Sequence, residues 1–394
     1  MIVKKAERVH GIIKFSFMER QKLNTVRFAP KGENSFFNVV QRRVSEYFSS
    51  RKITPYANTT MWVKTVIMLL IYFIPYSIMV TGLAAGNSLL FYGLWIAMGI
   101  GMIGIGTSVM HDANHGTYSA NKNINNFISR VLEVLGGYRL TWRIQHNILH
   151  HTYTNITGLD EDIDSIKLLR FSPRQEWKWY HRYQYVYIWF FYSVMTLYWM
   201  TVKDYMQLLS YHKHDLLKKQ KVTLGQGILR VTLYKLFYYG YVMALPILFS
   251  GMPWYAVVLG FLLMHFVAGL TLSCIFQPSH VMETSQYSLP VNVDGGRQME
   301  DSWAVHQLAN TTNFSPHSKM FSWFIGGLNY QIEHHLFTHI CHVHYPKLAP
   351  VVKATAEEFN LAYNVQPTFF KALALHVNML KVLGKNIKEH EVPE

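Results

Sequence analysis

The chain has 394 residues, half of them hydrophobic, 15% aromatic and only 15% charged, against about 25% charged in soluble domains. That composition, with its apolar residues clustered rather than periodic, excludes a string of ordinary soluble domains and points to one membrane-embedded unit. The net charge of +14 does not indicate nucleic-acid binding, since no basic stretch lies on a soluble fold; it fits anionic lipid headgroups or an acidic protein partner.

Residues 1–64 carry thirteen Lys/Arg and four Glu and read as a soluble N-terminal segment. The opening MIVKKAERVHG is too charged for a signal peptide. From Thr65 to Met110 no residue is charged, a run of 46. One helical span takes about 20 residues, so this run predicts two, at about 65–85 and 89–109, joined by the turn Gly82–Ser88 (GLAAGNS). A second uncharged run, 43 residues from Leu236 to Pro278, is broken by Ser250-Gly251-Met252-Pro253 and predicts spans at about 233–249 and 254–276. The hairpins lead into His111 and His280. Neither turn contains Lys or Arg, whereas the flanks contain many. The positive-inside rule therefore places both termini and the region between the hairpins in the cytoplasm.

Tyr183 to Val202 is a further uncharged stretch of 20 residues, nine of them aromatic. Crossing the bilayer there would separate the histidines on its two sides, and aromatic side chains favour the water–lipid boundary, so 183–202 reads as an interfacial helix. Residues 351–394 read as a cytoplasmic C-terminal segment following a membrane domain at 65–350. The expected fold is all-α and integral to the membrane: four transmembrane helices in two hairpins, with a cytoplasmic helical cap carrying a histidine-rich di-metal site.

Cys274 and Cys341 are the only cysteines, and neither lies in a CxxC motif, so zinc-ribbon and thioredoxin chemistry are not suggested. The histidines, twenty in all, are the anomaly. Three clusters stand out: His111-Asp112-Ala113-Asn114-His115, His146-Asn147-Ile148-Leu149-His150-His151, and Gln331-Ile332-Glu333-His334-His335, with His280 beyond the second hairpin. Residues four apart share a helix face, so His111 with His115, and His146 with His150, can each aim two imidazoles one way. His151 projects about 100° from its neighbour and can serve a different metal. The eight histidines 111, 115, 146, 150, 151, 280, 334 and 335 can supply about four nitrogens to each of two metals, and imidazole suits iron, zinc and copper alike. None of the eight falls in the middle of a predicted span.

HDANH, HNILHH and QIEHH, in this order around two hydrophobic hairpins, resemble the three histidine boxes of the membrane fatty-acid desaturase family. The resemblance runs from about Trp62 to Pro350 and includes HNILHHTYTNITGLDEDID (146–164) and GGLNYQIEHHLF (326–337). Gln331, together with QPSHVME (277–283), is similar to the front-end subgroup, which desaturates between an existing double bond and the carboxyl end. The resemblance implies two iron ions, O2 as co-substrate and a fatty acyl substrate, either an acyl-CoA or an acyl-lipid. A bacterial inner membrane and the endoplasmic reticulum fit equally. Many front-end enzymes carry a fused cytochrome b5 domain with an HPGG motif; HPGG is absent here, so a separate donor is expected, cytochrome b5 or a ferredoxin with its reductase.

The substrate gives a physical reason for iron. A mid-chain methylene has no acidic proton and no leaving group, and zinc is redox-inert. An acyl or alkyl hydroxylase with the same centre is an alternative. So, less well, is a zinc-containing membrane receptor or lipid hydrolase, which needs about three protein ligands.

Carboxylates commonly orient ligand imidazoles; Asp112, Asp160, Asp162, Asp164 and Glu333 are candidates. Gln331 offers an oxygen ligand or a hydrogen bond to bound water. His306 is a possible ligand or proton relay, with core packing the plainer alternative. His265 is read as a helix-to-helix hydrogen bond, His339, His342 and His344 as supporting or surface groups, and His317 as lying nearby. The second-span glycines Gly93, Gly99, Gly101, Gly104 and Gly106 serve either an acyl path or, preferably, close helix packing.

Overall fold

A backbone in hydrocarbon must satisfy its own polar groups, and an uncharged run the length of a bilayer does so as a helix. The computed structural model describes residues 26–386 apart from positions 31, 165 and 295. Among them the first helix, α1, is Phe36–Arg51, capped by Ser35 and ended by Lys52 in the left-handed conformation. Four helices are long and apolar enough to cross a membrane: α2 (Thr59–Val80), α3 (Ser88–His115), and, later in the chain, Leu224–Phe249 and Trp254–His280. Between the two pairs lie α4 (Lys122–Ser129), α5 (residues 139–153) and the long helical stretch α6 (residues 184–213). The second pair of apolar helices is α7 and α8. After them come α9 (Trp303–Ala309), α10 (Gln331–Leu336), α11 (Tyr345–Glu358) and α12 (Phe369–Leu383).

Side-chain caps set the starts. Asn58 accepts from the Met61 N–H and Asn87 from the Leu90 N–H, while Thr223 and Gln226 form a reciprocal capping box. The two hairpin turns fall where the sequence places them, and they touch: a Cβ on Gly251 would stand 2.9 Å from that of Ala85.

The helix ends are less obvious from sequence. α2 begins at Thr59, not about 65, and α7 at Leu224, not about 233, so both helices run past lysines that end the apolar runs. Each lysine is buried and hydrogen-bonded: Lys64 to His342, Lys235 to Asp204 and to the carbonyls of Gly136 and Trp199. Likewise α6 continues beyond Val202, through Lys203 and the buried Asp204, to Lys213. The boundaries drawn at 64 and 350 both fall inside helices, α2 and α11. Residues 1–25 and 387–394, which include the ends of the two expected terminal segments, lie outside the described residues.

α3 packs between α2 and α8, and α6 packs along α8. Outward faces carry exposed apolar side chains, Val66, Leu70 and Ile74 on α2 and Leu229, Leu233 and Leu236 on α7, a surface suited to lipid rather than water. Most of the second-span glycines serve close packing. A Cβ on Gly99 would lie 2.9 Å from the Met264 carbonyl, on Gly101 2.7 Å from the Tyr72 nitrogen, and on Gly104 into Met68. Gly93 meets nothing within 4 Å.

The remaining elements cover the histidine-bearing end. α1 buries Phe36, Val40, Val44 and Phe48 in a cluster with Ile332, Leu336, Leu348 and Val352 from α10 and α11. Short strands tie distant segments together. β1 (Val26–Arg27) pairs in parallel with β3 (Gly296–Gln298), which pairs antiparallel with β2 (Val291–Val293). β4 (Asn313–Phe314) pairs in parallel with β5 (Val365–Gln366).

A close helix-to-helix backbone approach joins α8 to α6: a Cβ on Gly269 would lie 2.5 Å from the Ser193 carbonyl oxygen. Gly269→Ala should therefore cost about 1–3 kcal/mol by overpacking and lower the thermal midpoint in detergent. Gly93→Ala should leave it unchanged; equal midpoints for the two variants would contradict this packing.

Candidate metal centre

Each histidine is delivered by a helix end or a helical turn. α3 finishes in a widened π-helical turn, Ile105–Met110, followed by His111–His115. α5 contains another, Ile144–His150. Such turns wind the chain less tightly than 3.6 residues per turn and often occur at functional sites. The loop before α10 is pressed onto the first of them: a Cβ on Gly326 would lie 2.3 Å from the Thr107 carbonyl oxygen. Gly326 and Gly327 both have φ near +65°, a conformation that disfavours side chains, so this glycine pair lets the third cluster dock on the first. His280 ends α8.

The eight histidines converge. Ligand atoms of His111, His115, His146 and His334 lie within 4.8 Å of one another; so do those of His150, His280 and His335, and those of His151, His334 and His335. His146 and His150, four apart and stacked at 5.4 Å, fall in different ones of the first two groups, and with Asp162 they also form a group of their own. His151 stands where the groups meet, its Nε2 3.1 Å from that of His146. All but His115 are buried. Trp142 covers the outer side, 4.5 Å from the His146 ring and 5.8 Å from His111 and His115.

Hydrogen bonding orients five of the eight rings, those of His111, His150, His280, His334 and His335. Nδ1 of His150 donates to Asp160 (3.1 Å), Nδ1 of His280 to the Asn310 carbonyl (3.1 Å), Nδ1 of His335 to Gln307 Oε1 (2.7 Å), and Nδ1 of His111 to Asp112 Oδ1 (3.3 Å). Nδ1 of His334 meets the Tyr345 hydroxyl at 3.4 Å. A neutral imidazole that donates through Nδ1 leaves a lone pair on Nε2. The Nε2 atoms of His111, His115, His280, His334 and His335 are buried without a partner. One such atom costs about 1–3 kcal/mol, and five around one space are relieved together by bound cations. The donor set therefore fits metal binding: His111, His115, His146 and His334 form one group that could hold an ion and His150, His280 and His335 another, with His151 between them.

The surroundings favour the same outcome. Burial and neighbouring imidazoles hold His146, His151, His334 and His335 well below the usual histidine pKa, so they stay neutral with lone pairs available. Burial opposes charge on His150 too, but Asp160 and Asp162 outweigh it and raise the pKa to about 9. Those carboxylates stabilise positive charge there, whether a proton or a metal ion.

The other predicted residues divide. Asp112, Asp160 and Asp162 (3.3 Å from His150) contact imidazoles. Asp164 instead accepts from the Gly158 N–H, and Glu333 from the Tyr363 hydroxyl and Asn313 amide. Burial raises the Glu333 pKa to about 7. Gln331 donates to the Leu328 carbonyl, and its Oε1 is buried without a partner. His306 enters none of the groups; its Nε2 donates to the Thr154 carbonyl at 2.7 Å. His265 links α8 to Tyr238 of α7 and Thr196 of α6. His344 donates to the Tyr56 carbonyl, and His317 is exposed. Gln307, Asn310 and Tyr345 went unnoticed in the sequence because an acceptor or hydroxyl beside an imidazole has no spacing signature.

A sequence profile for fatty acid desaturases matches residues 87–367. A protein named sn-1 linoleoyl-lipid 6-desaturase, from Arthrospira platensis, is 35% identical over 89% of this chain and 93% of its own length. One of the same name from Synechocystis sp. is 34% identical over 91% of this chain and 98% of its own. An acyl-lipid (8-3)-desaturase of Physcomitrium patens is 33% identical over 93% of this chain and 75% of its own length.

Gln307 offers a test of the inward-facing arrangement. Gln307→Leu should lower metal affinity about 10–100-fold, as loss of an orienting partner does, whereas Gln307→Glu, which keeps an acceptor, should retain it. Competition with a chelator reads the difference, and unchanged affinity in Gln307→Leu would show that His335 needs no partner.

Proposed function

The chain belongs to the fatty acid desaturase family, and on that premise we propose that it uses O2 and two iron ions to insert a double bond into an acyl chain carried on a lipid. The convergence of eight imidazoles from four separate segments into adjoining buried groups carries the reading. Iron is favoured over zinc because the reaction is a redox one.

When bound, the metal pair supplies the coupling of O2 reduction to hydrogen removal: R–CH2–CH2–R′ + O2 + 2 e⁻ + 2 H⁺ gives R–CH=CH–R′ + 2 H2O. The protein's part is geometry and dryness. His111, His115, His146 and His334 hold one ion. His150, His280 and His335 would hold the other, with Gln331 Oε1, which is buried and beside His280, a further ligand atom. Asp160, Asp112, Gln307 and the Asn310 carbonyl keep the Nδ1 hydrogens pointing outward. Burial of the imidazoles excludes water, and α3 and α8, which end in His111–His115 and His280, tie the centre to the membrane from which an acyl chain must come.

The relatives' names support an acyl-lipid over an acyl-CoA substrate, and with Gln331 they support front-end regiochemistry. Electrons then come from a separate donor, cytochrome b5 or a ferredoxin with its reductase. The positive-inside distribution of Lys and Arg supports a centre on the cytoplasmic side.

Expression in a host that supplies such a donor, followed by mass spectrometry of the lipids, tests the activity. Products lighter by two hydrogens are expected, disappearing in His150→Ala; products heavier by one oxygen, with none lighter, would mean hydroxylation instead. For sidedness, Leu83→Cys should label in intact cells and Lys218→Cys only after permeabilisation, both sites being exposed and both native cysteines buried. Labelling of Lys218→Cys from outside would refute the proposed orientation.

A further inference from the structure

Lys64 is a lysine that a membrane helix has reason to avoid. It lies in α2, is 2% exposed, and among the described residues no carboxylate stands within ion-pair distance of its Nζ. A buried ammonium is costly unless it is paired and hydrogen-bonded, and methionine would fill the same volume without that cost. Its Nζ is 2.7 Å from Nε2 of His342 and 5.3 Å from the centre of the Trp323 ring. His342 Nδ1 is in turn 2.8 Å from Asp112 Oδ2, which also accepts the His342 backbone N–H at 3.2 Å. The other oxygen of Asp112 faces His111 Nδ1.

The polarity of this chain is set from the lysine end. An ammonium has three donors and no acceptor, so Nε2 of His342 must accept. The hydrogen of His342 is then on Nδ1, which donates to Asp112. The carboxylate, holding that donor on one oxygen, accepts from His111 Nδ1 on the other, and the lone pair of His111 stays on the inward-facing Nε2 beside His115, His146 and His334. Without the lysine, His342 is free to carry its hydrogen on Nε2 and turn a bare nitrogen toward the carboxylate, loosening the acceptor that orients His111. Asp112, Cys341 and His342 also lie close enough to hold an ion by themselves, but both ring nitrogens of His342 are already engaged.

We propose that Lys64 is a positioning residue for the metal held by His111, His115, His146 and His334, acting through His342 and Asp112. This rests on the metal-centre reading above, and it assigns the first membrane helix, which carries none of the eight histidines, a part in the centre.

The test is titration of the purified, metal-stripped protein with cobalt(II), read by its visible d–d absorption and by calorimetry. The native protein should bind two ions. Lys64→Met should bind one as before and the other about 10–100-fold more weakly, and Lys64→Arg, which restores a donor, should recover it. Two ions bound with native affinity by Lys64→Met would overturn the proposal. So would loss of both ions together with the monodisperse protein, which would make Lys64 a residue of the fold alone. A native protein that fails to bind two ions would instead overturn the metal-centre reading, before any variant is compared.

Discussion

A neutral imidazole has one hydrogen for two nitrogens, and burying it away from water forces each nitrogen to find a partner of the right kind. This constraint organises the histidine-bearing end of the molecule. Asp112, Asp160, Gln307 and the Asn310 carbonyl take the Nδ1 hydrogens, and the Nε2 lone pairs are left facing one another. Such an interior is unfavourable by itself and becomes favourable around cations. The helices, the close glycine contacts and the covering elements hold that arrangement together. Because the second partners come from loops and from α9, the covering elements are part of the centre as much as the spans are.

The same rule governs charge in the membrane helices. Lys64 and Lys235 sit inside apolar helices, and each has found a specific partner, His342 in one case and Asp204 in the other. Asp204 also accepts from the Thr141 hydroxyl, at the start of the helix that carries His146, His150 and His151. Charged residues that look like helix boundaries are thus the points where membrane helices are fastened to the histidine-bearing segments. Glu333 shows a variation: it sits among the third-cluster histidines yet fastens Asn313 and Tyr363, so it ties the C-terminal part of the chain to α10 rather than orienting an imidazole.

The amino-acid sequence by itself determined four apolar helices in two hairpins, with the turns at 82–88 and 250–253, because exclusion of charge over a bilayer's length is a local property. It also singled out the eight histidines, because clustered histidines lying outside the apolar spans are visible in one dimension. The tertiary structure decided the rest. Whether a buried lysine ends a helix depends on a partner some 278 positions away, as His342 is from Lys64. That His146 meets His334 while His150 meets His280 and His335 depends on how α5 meets α10 and the end of α8. Gln307, Asn310 and Tyr345 act only through where their acceptors and hydroxyls come to rest. Hydrogen-bond partners of that kind are set by the packing of distant segments, and no spacing along the chain records them.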